Sequence, residues 1–390
     1  MTMLQQPAAG ADAPDDRSGV QPEKGTPQPE RVHPRLTGRE RLRRRAAGVL
    51  AAVTTPLLPK DYLDLFVPLH NGADLRGRIV AVQPETAEAA TILIRPGGRW
   101  RGHLPGQYVR IGVDVDGVRL WRAYSLTSGP RPDGLLSVTV KKVADGKVSS
   151  FLVDRVTPGA IIQMDQATGS FHLPADPPER MLFVTAGSGI TPVIGMLRHQ
   201  GHRLSDVVVV HSAPTPEAVI FGDELREMHA AGRIRLVEQP TDADGTLSPV
   251  DLATMVPDWA RRETWVCGPT AMLDELEAWW STQGDPDRLH TERFRPHLIV
   301  TGDGGEVTFI KTGLAVSADA ATPLLDAGEE AGVLMPSGCR MGICFGCVAP
   351  LRSGAVRDLR NGALTTAEPG DGVMVQTCIS AAAGACEVDL

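Results

Sequence analysis

The chain has 390 residues, 42% hydrophobic and 22% charged, which fits roughly two to four globular domains and excludes both wholesale disorder and a membrane channel. A net charge of -8 excludes nucleic acid as a main partner, because phosphate contacts need a basic surface. The uninterrupted apolar runs, such as Val207 to Val210, fall far short of the roughly 18 residues of a spanning helix.

Residues 1–38 are rich in Pro, Gly, Ala, Asp and Gln without apolar periodicity, so they read as a disordered tail. They lack a secretory pattern, so a cytoplasmic protein is expected. Residues 39–72 form a basic segment in which Arg39, Arg41, Arg43, Arg44 and Arg45 precede Leu57, Leu58, Tyr62, Leu63, Leu65 and Phe66. Nine basic and six acidic residues occur in 1–45, against five and ten in 306–390. Charge is therefore polarised along the chain. Two readings of 39–72 stand: a cationic amphipathic helix peripheral at the inner face of the cell membrane, or an extension packed on the body of the protein.

Residues 73–176 hold short β-branched runs bounded by Gly, Pro or Asp: Gly77–Val82, Thr91–Ile94, Gln107–Ile111, Leu136–Lys141 and Ala160–Met164. Their spacing predicts an antiparallel β-barrel. In residues 177–284 the rhythm changes to apolar strands (Met181–Thr185, Val207–Ser212, Ile234–Glu238, Thr264–Cys267) alternating with helical segments at Gly222–Ala231 and Pro269–Gln283. That alternation predicts a parallel sheet covered by helices on both faces. Residues 285–305 read as a linker with a glycine hinge at Gly302–Gly305, and 306–390 as a third, smaller unit.

Five of the six cysteines lie in that last unit. Cys339, Cys344 and Cys347 stand as C-x4-C-x2-C, and Cys378 follows 31 positions later, the ligand spacing of a plant-type [2Fe-2S] cluster. Four thiolates must converge on two irons, so one tight loop supplies three and a distant strand the fourth. Gly338, Gly342 and Gly346 suit a loop whose amides turn toward the cluster. A zinc site would favour paired C-x2-C knuckles, and a reducing cytosol disfavours disulfides. Cys386 is surplus to the ligand count and reads as a small buried residue.

Arg122-Ala-Tyr124-Ser125 and Gly146-Lys147-Val148-Ser149-Ser150-Phe151-Leu152 resemble the R-x-Y-S and G-x-x-S-x-x-L motifs of ferredoxin-NADP reductase-like flavoproteins. The resemblance implies an FAD-binding barrel. Arg122 would pair with the cofactor's phosphates, the Tyr124 ring would pack on the flavin, and the Ser125 hydroxyl would reach its reactive nitrogen. Leu126, Val140, Lys141, Lys147, Val148 and Ser149 complete the implied flavin site. An arginine fork suits phosphate, and a hydroxyl serves both flavin redox states because it donates and accepts.

Gly187-Ser188-Gly189-Ile190-Thr191-Pro192 follows an apolar strand and opens a predicted helix, where glycines let a pyrophosphate approach the helix start. It resembles the G-x-G-x-T-P nucleotide loop of the same superfamily. Cys267-Gly268-Pro269 resembles the C-G-P motif that sets a cysteine beside the nicotinamide. Taken alone, Cys267 reads as a core residue; its place at the C-terminal end of a strand favours the site. Ser212 is the candidate for a 2′-phosphate, with Arg198, Arg203 and Arg226 as nearby alternatives. His290-Thr-Glu292-Arg-Phe294 resembles an h-x-E-x-F signature near the flavin, the alternative being a solvated linker anchored by Phe294. Ser125, Cys267 and Glu292 are the implied catalytic residues.

The implied whole is an FAD barrel, an NAD(P) α/β domain and a C-terminal α+β, β-grasp [2Fe-2S] ferredoxin domain in one multidomain chain. Electrons would run from NADPH, or NADH, through FAD and the cluster to an external acceptor. Thr54-Thr55-Pro56-Leu57-Leu58-Pro59, Asp61-Tyr62-Leu63, Phe221-Gly222 and Val256-Pro257-Asp258-Trp259 further resemble actinobacterial NADPH-dependent reductases of membrane-bound Δ9 acyl-CoA (stearoyl-CoA) desaturases. A Rieske-type oxygenase, a cytochrome P450 or another hydroxylase is the alternative acceptor, and a non-catalytic redox sensor the second alternative.

Overall fold

A computed structural model of the chain describes residues 66–70, 74–144, 146–294 and 300–390, all within one compact unit, Leu58–Leu390. The expected tail at 1–38 and most of the basic segment at 39–72 lie outside the described residues.

Six antiparallel strands come first: β1 (Arg76–Thr86), β2 (Ala89–Pro96), β3 (Tyr108–Val115), β4 (Val118–Ser125), β5 (Leu136–Lys141) and β6 (Ile161–Met164), in the order β4-β3-β6-β1-β2-β5. An antiparallel bridge between Leu126 and Val138 joins the two ends, so the sheet closes as a barrel. Inward positions are aliphatic: Ile79, Ile92, Ile94, Val109, Ile111, Leu126, Val138 and Val140 fill the interior. The β3–β4 hairpin turns on Asp116 and Gly117, both at positive φ (53° and 82°), the backbone that a two-residue Asp-Gly turn requires. That turn fixes the register that places Arg122, Tyr124 and Ser125 at the far end of β4. A short helix, α1 (Lys147–Ser150), and a wider turn, Phe151–Arg155, follow β5.

The second sheet is wholly parallel. Its strands β7 (Arg180–Ala186), β8 (Asp206–Ala213), β9 (Arg235–Pro240), β10 (Glu263–Cys267) and β11 (Leu289–Glu292) stand in the order β11-β10-β7-β8-β9. Both faces are covered, so the strands are nearly continuous apolar runs. Met181 and Phe183 pack under α2 (Ile190–Gln200) and α3 (Gly222–Ala230). Leu182 and Val184 pack on the other face, with α5 (Pro249–Met255) and α6 (Thr270–Gln283); α4 (Thr241–Asp244) is one turn after β9. Leu289–Glu292, in the stretch read as a linker, is a strand of this sheet, because Leu289 packs on the Val266 and Leu276 core.

The last sheet is mixed. It orders β13 (Leu314–Ala318), β12 (Gly305–Phe309), β17 (Ser380–Val388), β14 (Val348–Asp358) and β15 (Leu364–Ala367), with β16 (Met374–Gln376) paired to β14. β12 and β17 run parallel and the remaining pairs antiparallel. Helix α7 (Leu324–Glu330) buries Leu324, Leu325 and Ala327 against the sheet, giving the α+β arrangement. Among the described residues, no helix is long and apolar enough to cross a membrane.

Candidate functional site

In the parallel sheet the strand order reverses between β7 and β10. Crevices of this kind, at the carboxyl ends of such strands, bind ligands. Register brings three residues abreast there: Cys267 at the end of β10 faces Thr185 of β7 on one side and Glu292 of β11 on the other. Gly189 lies so close beneath them that a methyl group on it would sit 1.9 Å from the Cys267 carbonyl oxygen. Only glycine lets the loop after β7 lie against β10. Gly187, at φ 53°, faces open space where a methyl would meet no heavy atom within 4 Å. This is an open cradle beside the start of α2, as a pyrophosphate needs. Thr191 Oγ1 donates to the Ser188 carbonyl at 2.9 Å, and Thr191 and Pro192 are buried. Gly268 fits between Ala186 and Met272, and Pro269 opens α6 at the surface.

Cys267 has no exposed surface; burial, and then the charge of Glu292, push its thiol well above its ordinary value. It is therefore a neutral thiol. Burial raises the Glu292 carboxyl to about 7. Phe294 packs on the core shared by Phe183 and Trp265, which makes it an anchor for the end of β11.

On the barrel, Ser125 is buried and pairs in register with Tyr108 of β3. Burial raises the Tyr108 phenol; Thr168 hydrogen-bonds to it, and Glu292 and Cys339 lie within electrostatic reach. Tyr108 is thus within reach of both the end of β11 and the cysteine loop. Tyr124 packs on the barrel core, and burial raises its phenol. Arg122 donates to the Trp121 carbonyl at 2.8 Å and has no carboxylate partner within ion-pair distance among the described residues. A largely buried guanidinium that Asp326 and Glu329 reach only electrostatically, with no carboxylate in direct contact, fits an anionic cofactor phosphate. Leu126, Val140 and Val148 point into the barrel core, so only their backbone is available to a cofactor. The Ser149 hydroxyl closes a turn, accepting from Val143 N–H at 3.2 Å and donating to the Gly146 carbonyl. Lys147 is exposed, and Lys141 lies 3.9 Å from Glu88.

The four cysteines meet as two pairs. Cys339 and Cys344 share one hydrogen bond, and Cys347 and Cys378 another. Within each pair one thiol is pushed down, Cys344 to about 5 and Cys347 to about 6, chiefly by its partner's S–H, while the partner is pushed up. Backbone N–H groups of Cys339 and Gly346 point at Cys344 Sγ (3.1 and 3.4 Å), and that of Met341 at Cys339 Sγ (3.3 Å). Such amides stabilise thiolates and tune a cluster. Two thiols per metal is the donor set of a two-iron cluster. Cys386 lies in the core of the same module, paired in register with Val307.

Of the candidates for a 2′-phosphate, Arg198 and Arg226 line one cavity, and each of the arginines is engaged by a group of the protein itself. Ser212 is 4% exposed at the end of β8. Arg198 forks onto Glu224 (2.9 and 2.6 Å), Arg226 onto Glu238, and Arg203 reaches the Ala175 carbonyl. Two residues escaped the sequence reading. His211 is fully buried, bonded through Nδ1 to Thr185 Oγ1 at 2.8 Å, with Nε2 unpartnered and its pKa lowered to about 4 by burial. Tyr108 read only as part of a strand; its outward position opposite Ser125 was the available signal.

Comparison with known proteins agrees with this architecture. Residues 100–173 match the oxidoreductase FAD-binding domain, 183–278 the oxidoreductase NAD-binding domain, and 308–383 the 2Fe-2S iron-sulfur cluster binding domain. The chain is 48% identical to an NADPH oxidoreductase of Mycobacterium tuberculosis over 350 residues, 88% of this chain and 91% of that one. It is 29% identical to the ferredoxin reductase component of a 3-ketosteroid-9-alpha-monooxygenase of Mycolicibacterium smegmatis, over 78% of this chain and 89% of that one. The fold matches that of phthalate dioxygenase reductase with a TM-score of 0.56 at 21% identity, covering 81% of this chain and 97% of that one. The chain belongs to the family of electron-transfer oxidoreductases that join an FAD-binding, an NAD-binding and a [2Fe-2S] ferredoxin domain.

Proposed function

We propose that this reductase takes its electrons from NADPH and delivers them singly to an oxygen-dependent acceptor, a membrane-bound acyl-CoA Δ9 desaturase. What supports the electron path is that Glu292, the register partner of Cys267, and Cys339 of the cysteine loop both lie within electrostatic reach of Tyr108, the register partner of Ser125. Bound FAD supplies the conversion of a hydride's electron pair into single-electron steps.

The chain's own residues act around that chemistry. Gly187 and Gly189 leave room for the nucleotide's pyrophosphate, and the neutral Cys267 thiol offers an uncharged wall to the nicotinamide. Glu292, poised at about 7, holds a proton at its carboxyl below that pH. Ser125 would offer its hydroxyl to the flavin, Arg122 would neutralise cofactor phosphate, and Cys339, Cys344, Cys347 and Cys378 would hold the cluster.

NADPH is supported by the name of the M. tuberculosis relative, and the desaturase by the resemblance of the segments from Thr54 onward. The basic segment at 39–72 would hold the reductase beside that membrane enzyme. Relatives named as monooxygenase reductase components favour a second reading, in which the acceptor is a Rieske-type oxygenase, a cytochrome P450 or another hydroxylase. Two measurements test these readings. A kcat/KM for NADH above that for NADPH overturns the nucleotide assignment. Reconstitution with a desaturase, a Rieske oxygenase and a P450 decides the acceptor; desaturase turnover no better than the others overturns the first reading.

A further inference from the structure

Alternation along β3 turns Val109, Ile111 and Val113 into the barrel core and leaves Tyr108 and Arg110 on its outer face. Arg110 is held from several sides. It forms an ion pair with Asp165, and its guanidinium carbon lies 5.5 Å from the centre of the Trp121 ring. The ferredoxin module meets it on a third side. A methyl group on Gly338 would lie 2.3 Å from Cys344 Sγ and 3.4 Å from Arg110 Nη1, so the guanidinium and a cluster thiol flank the same α-carbon. Glycine at 338 is what permits this approach. Tyr108, two residues earlier on the same face, packs over Gly169, where a methyl would meet its ring at 3.1 Å.

We propose that Arg110 is a positioning residue for transfer between flavin and cluster: it docks the cysteine loop on the barrel and sets the cluster's reduction potential through its charge, with Asp165 as the opposing charge. This rests on the assignment of Cys339, Cys344, Cys347 and Cys378 as [2Fe-2S] ligands. On reduction the cluster passes from its diferric to its mixed-valence form by one electron, supplied by the reduced flavin and ultimately by the nucleotide's hydride. Arg110 neither gains nor loses a proton. A nearby positive charge favours the form carrying the extra electron, and Asp165 offsets it. The side chains are 25% and 36% exposed, so solvent screens the pair only in part.

The test is redox titration of the cluster in the full-length, cofactor-loaded protein, with its visible and electron paramagnetic resonance signals reporting that the cluster is assembled. Arg110→Gln is expected to shift the flavin–cluster electron equilibrium about tenfold against the reduced cluster at low ionic strength. Arg110→Lys should restore most of it. Asp165→Asn should shift it in the opposite direction, which a purely structural role for either residue would not produce. Should Arg110→Gln fail to fold, the positive shift in Asp165→Asn decides alone. Unchanged potentials, or shifts of one sign in both Arg110→Gln and Asp165→Asn, overturn the proposal while leaving the cluster assignment standing. Absence of a cluster signal from the wild-type protein overturns the assignment and the proposal with it.

Discussion

The cysteine loop and the nucleotide crevice are built by opposite means. Three of the four thiols of the loop lie within nine consecutive residues, and neighbouring backbone amides aim at their sulfurs. The crevice is assembled at long range: Thr185, Cys267 and Glu292 are far apart in sequence and are brought abreast only by the pairing of β7, β10 and β11. A local device fails at single atoms, whereas a register-built device fails through backbone packing. Substitutions should separate the two.

The largest effect is expected at the loop. Cys344→Ser removes a ligand and should lower reduction of a one-electron acceptor more than about 100-fold, while stopped-flow absorbance still shows flavin bleaching by NADPH. Equal loss of flavin reduction would mean that the two regions do not act in series. Next comes the crevice. Gly189→Ala drives a methyl into the Cys267 carbonyl and should cost about 3 kcal/mol or more, read as a lowered thermal midpoint together with weakened nucleotide binding. A variant with unaltered midpoint and affinity would show that β7 and β10 tolerate separation there.

A smaller effect concerns Glu292. Burial raises its pKa from 4.5 to about 7, so between those values the folded protein binds more protons than the unfolded chain. Its contribution to stability is therefore fully present below about 4.5 and is lost as pH rises through about 7. Glu292→Gln should flatten the decline of thermal midpoint across that window; an identical pH profile for both proteins would remove Glu292 as its source. The smallest effect is expected at Cys386→Ala, which should leave cluster absorbance intact and cost about 1 kcal/mol in denaturant titration. Loss of the absorbance would return Cys386 to the ligand set.

The same contrast explains what was legible in the sequence. The cysteine spacing and the Gly187–Pro192 loop are local patterns, and both could be read directly. Arg122–Ser125 reads, taken alone, as an ordinary barrel strand and is part of β4, whose apolar alternation is weak because Arg119 and Arg122 interrupt it, although Asp116-Gly117 is a strong hairpin signal. β11 was read as linker because a four-residue strand with only Leu289 facing a core carries almost no periodicity. Tyr108 and Arg110 were invisible as site residues, since their neighbours Cys339 and Gly338 belong to a module more than 200 positions away.

Arg340 and Phe345, which directly follow Cys339 and Cys344 in the loop, hold left-handed backbone at φ 58° and 56°. For residues other than glycine that geometry costs roughly 1 kcal/mol or more each and persists only where surrounding bonds impose it. Here the Arg340 guanidinium is held by Asp326 and Glu329, and the backbone N–H groups of Cys339 and Gly346 donate to Cys344 Sγ, so the chain's own bonds impose the winding of this loop. The consequence is a preformed seat: three of the four thiols are gathered by a loop whose backbone cost the chain itself meets, so a cluster bound there would not have to wind it.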